Sequence, residues 1–518
     1  MKKVNKKKKI VIIGGGVSGL SSGIYALQNG FDAVIYEKHS VLGGLCSSWN
    51  RYGFHIDGCV HWLTGTQEHT DLYKMWQDLG VITCSDDIVY HQNAGVFKVL
   101  DKEFTLYCDI NKFEQELLSL APEDKKQIKK LCNNLVTIMN LPLPLNEPIN
   151  TMSLKRLTKV GLSILPFLSF YSKISHTSCE QYAKKFKSPY MKHLITRFQS
   201  GPGSLYQTLY SLATIIFNNG GVPTHGSKGL VDKLVNKFVS LGGQYYVNQG
   251  AKKFNINKKG ICESLLLENG SLIYADYFIS AVDARILLDK LLEGKYVDKK
   301  LEKRYKNPVK FPIVSCFGCY FALDKELVKK VFNGSHRYFV SVEPFKVGLR
   351  TVDQIIVRNF SFDSYFDHNN KTVLEIEFDQ YYDHYEFWES IYNDKEKYNA
   401  VKKDICNTIL SRLVAVYPEL KIEDFQYLDS YSPCTLNRYT GAYKGSFMSF
   451  LFTHDNKILF HSGNICHIKN LYFASQWSQS PGGLPLAAAV GKFSIQRILK
   501  KEKMKYLFNK PLFHKYSR

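Results

Sequence analysis

The sequence predicts an α/β protein of two lobes: a Rossmann-like dinucleotide-binding domain, and a substrate domain with a mixed sheet and a helical cap. Three observations carry this. Residues Lys9 to Glu37 read as strand, glycine turn, helix and strand, with Gly14-Gly15-Gly16-Val17-Ser18-Gly19 in the turn and an acid at the end. From Val309 onward the texture changes to long alternating strands. Far from the first turn, Gly482-Gly483-Leu484 opens another apolar helix.

Each part of the first turn has a physical job. Gly14 permits the tight bend, Gly16 lets the backbone approach a pyrophosphate, and Gly19 allows the helix to pack on the strands. The helix N-terminus offers unpaired N–H groups and about half a positive charge to the phosphates. Glu37 would accept hydrogen bonds from a ribose diol and repel a 2′-phosphate, so FAD or NAD fits better than NADP.

Composition narrows the class. A chain of 518 residues buries a large core, and 33 Tyr and 33 Phe make it aromatic-rich. The net charge of +21 is spread over the chain without a nucleic-acid motif, so it reads as a solvated basic surface and nucleic acid is not an expected partner. The same charge suits contact with anionic membrane. Twelve Cys and no signal-peptide pattern point to reduced thiols in the cytoplasm, peripheral to the inner face of a membrane where lipid is met. Lys2, Lys3 and Lys6 to Lys9 read as a flexible basic tail. Nothing in the sequence fixes an oligomeric state.

Beyond Glu37, the doublet Gly43-Gly44 lets another loop run against the dinucleotide, where a side chain would obstruct it. Gly53-Phe54-His55-Ile56-Asp57-Gly58 follows, then His61 and Trp62. Together with the fingerprint, this segment resembles the flavin-containing amine oxidase superfamily, most closely its phytoene desaturase, carotenoid isomerase and retinol saturase branch. The resemblance implies a two-lobed FAD-dependent oxidoreductase and places His61 and Trp62 near the isoalloxazine, as candidates to shape the catalytic site. Read from the residues alone, His61 packs in a partly buried strand. Leu45 stands where many relatives carry Arg, so the resemblance does not carry over any flavin contact that Arg would make.

The chain then reads, in order, as an FAD-binding part (1–85), a helical cap and substrate lobe (86–215), a return to the FAD domain (216–295), a mixed substrate sheet (296–455), a third FAD-binding part (456–505) and a tail (506–518). A helix over 122–139 is followed by the break Leu141-Pro142-Leu143-Pro144. The apolar stretch Lys155 to Tyr171 is too short to span a bilayer and is interrupted by Pro166. Two readings stand: it dips into one leaflet with its basic flank on the headgroups, or it is a buried cap helix. Helices over 177–216 could close over a pocket. A helix over 229–241 leads to Gly242-Gly243 and a strand, where the resemblance makes Val247 a backbone contact to adenine. A strand over 275–282 returns to the nucleotide sheet.

In the C-terminal half, Thr372-Val373-Leu374-Glu375-Ile376-Glu377-Phe378 alternates strictly, as a sheet buried on one face does. Cys316 and Cys319 point to opposite faces of a strand and no second pair stands at ligand spacing, so no metal is expected. Ser432 to Gly441 resembles the family's element between substrate sheet and flavin. The turn at Gly482-Gly483-Leu484 supplies a second helix N-terminus to the flavin, and Gln476, where relatives carry an acid, would meet the ribityl hydroxyls. The chemistry implied is hydride transfer between flavin and carbon–carbon bonds of an apolar unsaturated small molecule of carotenoid, retinoid or other isoprenoid-like type. Double-bond isomerisation and amine oxidation are the alternatives.

Overall fold

The computed structural model describes residues 7–68, 70–142, 145–199, 201–332 and 335–506. The basic start before residue 7, Leu143 and Pro144 of the proline break, and the tail from 507 lie outside these residues.

A five-stranded parallel sheet anchors the nucleotide lobe, in the spatial order Gln244–Tyr246, Asp32–Tyr36, Lys9–Ile13, Tyr277–Ser280, Leu471–Phe473. Its three central strands are apolar runs, as a parallel sheet covered on both faces requires. Helix Val17–Gln28 packs on the sheet beside helices Gly226–Ser240 and Leu484–Lys501. Ser21 Oγ donates to the Ala488 carbonyl across 2.7 Å, and a Cβ on Gly491 would stand 2.6 Å from the Ser18 carbonyl oxygen. The two glycine turns, 466 residues apart at Gly16 and Gly482, are thereby brought to one end of the sheet.

The second lobe is a seven-stranded mixed sheet in the order Gln426–Tyr431, Ser315–Asp324, Lys371–Gln380, Arg350–Asn359, Arg337–Val347, Asn93–Val99, Lys102–Tyr107. Neighbours are antiparallel except for Arg337–Val347 and Asn93–Val99, which run parallel. Helices between Ile110 and Ile216 cover one end, with an apolar core that includes Phe113, Leu131, Leu194 and Leu209. Helix Lys395–Val416 packs on this sheet, burying Ile405, Ile409 and Leu413 with Trp388.

Two expectations are corrected. Helix Leu154–Ile164 has no buried residue, and Leu154, Leu162 and Leu165 are 81%, 64% and 59% exposed, so the buried-helix reading of the 155–171 stretch fails. Strand Lys371–Gln380 is buried on both faces rather than one: Glu375 is 1% exposed. The alternation marks two kinds of interior, one apolar and one ionic. Cys316 and Cys319 do fall into different clusters, on opposite sides of their strand.

Candidate active site

One cavity of about 2020 Å³ runs between the lobes. Gly14, Gly16, Glu37, Gly43, Gly44, His61, Trp62, Val247, Gln476, Gly482, Gly483 and Leu484 all line it. Gly19 alone of the sequence-derived candidates does not. It lies behind, where a Cβ would stand 1.9 Å from the Gly14 carbonyl oxygen, so it serves the packing of helix on strand.

The cradle at one end fits a dinucleotide. The first intrahelical bond runs from Leu20 N to Gly16 O (2.9 Å), so the amides ahead of Leu20 are those a helix cannot pair internally. Gly16 and Gly43 bridge, and a Cβ on Gly44, whose φ is +61°, would meet Gly16 Cα at 3.2 Å. Glu37 is fixed by the cradle itself: Oε2 accepts from Gly15 N (2.7 Å) and Oε1 from His39 N (2.9 Å). Each carboxylate oxygen keeps a second lone pair for a ligand hydroxyl. Val247 sits beside Glu37, since Tyr246 O accepts from Glu37 N and Gln249 N donates to Glu37 O.

At the other helix N-terminus, Gln476 Oε1 accepts from Gly483 N (2.9 Å) and Nε2 donates to Phe447 O (3.2 Å). The carboxamide that sequence reasoning assigned to ribityl hydroxyls thus braces the Gly482-Gly483 turn on the cavity wall. An acid could make only the first of these bonds, which gives an amide at this position a structural use of its own.

His61 and Trp62 lie on the connection after strand Phe54–Asp57, not within a strand as the sequence favours for His61. Asp57 ends that strand by accepting from Cys59 N (2.9 Å) and Val60 N (3.0 Å), an Asx-type turn. The same buried carboxylate accepts from Ser227 N (2.5 Å) and Ser227 Oγ (2.6 Å), tying the turn to the start of helix Gly226–Ser240. His61 is therefore delivered into the cavity by a braced turn.

There it meets the ionic face of the second sheet. His61 Nε2 lies 3.2 Å from Glu377 Oε2 and 3.8 Å from Glu375 Oε1. Arg358 bridges both acids, Nε to Glu375 (2.9 Å) and Nη2 to Glu377 (2.7 Å). Tyr431 donates to Glu377 and Tyr320 to Glu375 (3.3 Å). Burial and Arg358 push the His61 ring down, but the Glu377 and Glu375 carboxylates outweigh them and hold its pKa above the ordinary value. For Glu377, Arg358, His61 and Tyr431 overcome burial and keep the carboxyl well below the usual range. Burial instead dominates at Glu375 and raises it. His61, Glu375 and Glu377 offer ligand atoms within 4.8 Å of one another, a spacing a metal could use. Because Arg358 and a charged His61 together balance the two carboxylates, the set works as an ion-pair network. Sequence reasoning missed Arg358, Glu375, Glu377 and Tyr431. The available signal was Glu375, Glu377 and Asp379 at every second position of a strand.

The comparisons fit this geometry. Residues 12–79 match the NAD(P)-binding Rossmann-like domain. That family description covers the first turn and the His61 loop. Among curated proteins, the chain is 23% identical over 330 residues to prolycopene isomerase, chloroplastic, of Daucus carota, covering 58% of this chain and 50% of that protein. It is 23% identical over 268 residues to the all-trans-retinol 13,14-reductase of Rattus norvegicus, covering 48% and 39%. The chain spans about half or less of the length of these relatives. Among solved structures, an oxidoreductase from Methanosarcina mazei aligns over 94% of this chain and 100% of that one with a TM-score of 0.59 at 16% identity, a likeness of fold. The matched domain is a dinucleotide-binding one, in keeping with the cradle at Gly14 to Gly44.

Proposed function

We propose that this chain is an FAD-dependent oxidoreductase acting on carbon–carbon bonds of an apolar unsaturated, isoprenoid-like substrate, with His61 handling the proton. The observation that carries the reading is His61 itself: an imidazole at the wall of the cofactor cavity, its Nε2 3.2 Å from Glu377, with its backbone carbonyl accepting from Arg337. The cradle around Gly16 and Gly44 would hold the pyrophosphate, Glu37 and Val247 the adenosine side, and the Gly483 helix start the flavin. When bound, the flavin supplies hydride transfer.

Dehydrogenation, saturation and isomerisation of a double bond all require a proton to move as well. A histidine whose charged form is favoured is a donor, which supports the saturating direction. Isomerisation is the second reading, favoured by the same donor, since protonation at one carbon and loss at another moves a double bond without net redox change. Trp62 would pack against the substrate. The cationic Arg337 on the cavity wall, with no ion pair among the described residues, weighs against a basic amine as substrate.

Delivery of such a substrate fits peripheral contact with a membrane on its cytoplasmic side. No described helix is long and apolar enough to cross a bilayer. Helix Leu154–Ile164 instead presents Leu154, Leu157, Leu162 and the following Leu165 to solvent, beside Lys155 and Lys159. The test is to purify the protein, read its visible spectrum for flavin, and add polyenes anaerobically to the oxidised and pre-reduced forms. Bleaching means dehydrogenation, reoxidation saturation, and isomers with unchanged flavin isomerisation. Protein unable to hold flavin overturns the proposal.

A further inference from the structure

Arg337 is an ionised group in the cavity wall that the proposed chemistry does not use. It stands directly across from Arg358 on the neighbouring strand, is 6% exposed, and lines the same cavity as His61. Its Nη2 donates to the His61 carbonyl (3.3 Å), its guanidinium carbon lies 4.8 Å from the centre of the Trp62 ring, and its Nε is buried without a partner.

Among the described residues no carboxylate forms an ion pair with it, although its neighbours on this face are paired. Arg358 holds Glu375 and Glu377, and Arg197 holds Asp353 through two bonds of 3.0 and 2.8 Å. Behind Arg337 a small cavity of about 10 Å³, lined by His91, His336 and Cys108, has room for no more than a water. Nothing there is negative. Burial favours the neutral rings of the stacked His91 and His336, and pushes the Cys108 thiol up to about 12. Burial and Arg358 lower Arg337 itself to about 9, so it stays a cation at neutral pH. A buried cation held against a second arginine, with only an indole face and a carbonyl for company, lacks its counter-ion.

We propose that the substrate itself carries that counter-ion: a carboxylate, bound by Arg337 where the cavity meets His61 and Trp62. One free guanidinium matches a planar monoanion; a prenyl diphosphate would need further unpaired cations on this face. Phe198, Phe339 and Ile356 beside Arg337 offer the apolar body a wall. The Trp62 ring lies 6.4 Å from the His61 ring, so the anion and the proton donor flank one indole. The unsaturation acted on then lies close to the acid end of the chain. This inference rests on the cavity being the substrate site, as proposed above.

The test compares retinoic acid with retinol, one polyene with either end group, by equilibrium dialysis against the flavin-loaded full chain. The expected result is at least tenfold tighter binding of the acid. Arg337→Gln should bring the acid to the level of the alcohol while leaving the alcohol unchanged, and Arg337→Lys should keep part of the preference. Equal affinities in the unaltered protein, or a preference that survives Arg337→Gln, overturn the inference. Should Arg337→Gln not fold, competition against the unaltered protein decides: decanoate should displace retinoic acid at concentrations where acetate does not. Equal displacement by acetate means a site for small anions only and also overturns it. Polyenes that change the flavin without any acid preference would leave the enzyme proposal standing and remove this inference alone. Acid preference with neither a flavin change nor product isomers would do the reverse.

Discussion

Replacing Glu377 by Gln is the most informative single change, because three groups converge on that carboxylate. The attraction between a charged His61 and Glu377 at 3.2 Å is about 5 kcal/mol at an effective dielectric constant of about 20, enough to outweigh partial burial and the repulsion from Arg358. Glu377→Gln removes that attraction and leaves the repulsion, so the His61 pKa falls. The sign follows directly. A histidine whose folded pKa is raised donates below that pKa and loses its proton as pH rises through it, so the alkaline limb of the pH–rate profile should move to lower pH in the variant. At neutral pH the rate should drop by about 10² to 10⁴, the worth of a positioned general acid. Stability should change as well. Glu377 has a depressed pKa, so it contributes above the unfolded carboxylate value, and removing it from a buried pair costs about 3–5 kcal/mol there. Below that value the difference should shrink as the native carboxyl protonates. The assay is kcat/KM for polyene turnover against pH in both proteins, with thermal melts at each pH. An alkaline limb that does not move, in a variant that is folded and flavin-loaded, refutes His61 as the proton donor.

Three further outcomes are expected. Gly44→Ala places a Cβ 3.2 Å from Gly16 Cα at a φ of +61°, so the purified variant should show a lower ratio of 450 nm to 280 nm absorbance with an apo-protein melt near the original. Ser227→Ala removes the 2.6 Å hydroxyl bond to buried Asp57 and should destabilise by about 1–3 kcal/mol, read from urea unfolding, with weaker flavin retention because the loop bearing His61 loosens. Leu162→Asp with Leu165→Asp alters residues that are already 64% and 59% exposed, so stability should hold within about 0.5 kcal/mol while co-sedimentation with vesicles containing anionic lipid is lost.

The nucleotide lobe was legible in the sequence because its determinants are local. A glycine turn with its strand, helix and acid is written in one run of residues, and Gly14, Gly16, Glu37, Gly43 and Gly44 reach the cavity from it. Val247 and the Gly482 turn were legible through resemblance rather than spacing. The ionic network was not, since its logic lies across strands. Arg358 faces Glu375 only through the pairing of their strands, which no single run shows. His61 was mis-set because a polar residue among Val60, Trp62 and Leu63 reads as part of a strand, whereas Asp57 closes the strand first through bonds to the next two amides but one. The exposed leucines of 154–165 defeated composition for a different reason: apolar content says how much a segment wants burial, and not what buries it.

The order in which the nucleotide sheet is threaded has a consequence for how the protein matures. Strand Lys9–Ile13 is completed on one side by Tyr277–Ser280, which in turn pairs with Leu471–Phe473, and helix Val17–Gln28 packs on Gly226–Ser240 and, more extensively, on Leu484–Lys501. During synthesis the phosphate cradle leaves the ribosome long before the helix Leu484–Lys501 that supports it. The nascent chain must carry an unfinished cradle until Leu471–Lys501 has been made, while the largely contiguous strands and helix of 315–431 can pair as soon as they emerge. Cofactor capture is thus a late event, and chains terminated ahead of Gly482 should accumulate without it however well their second lobe folds.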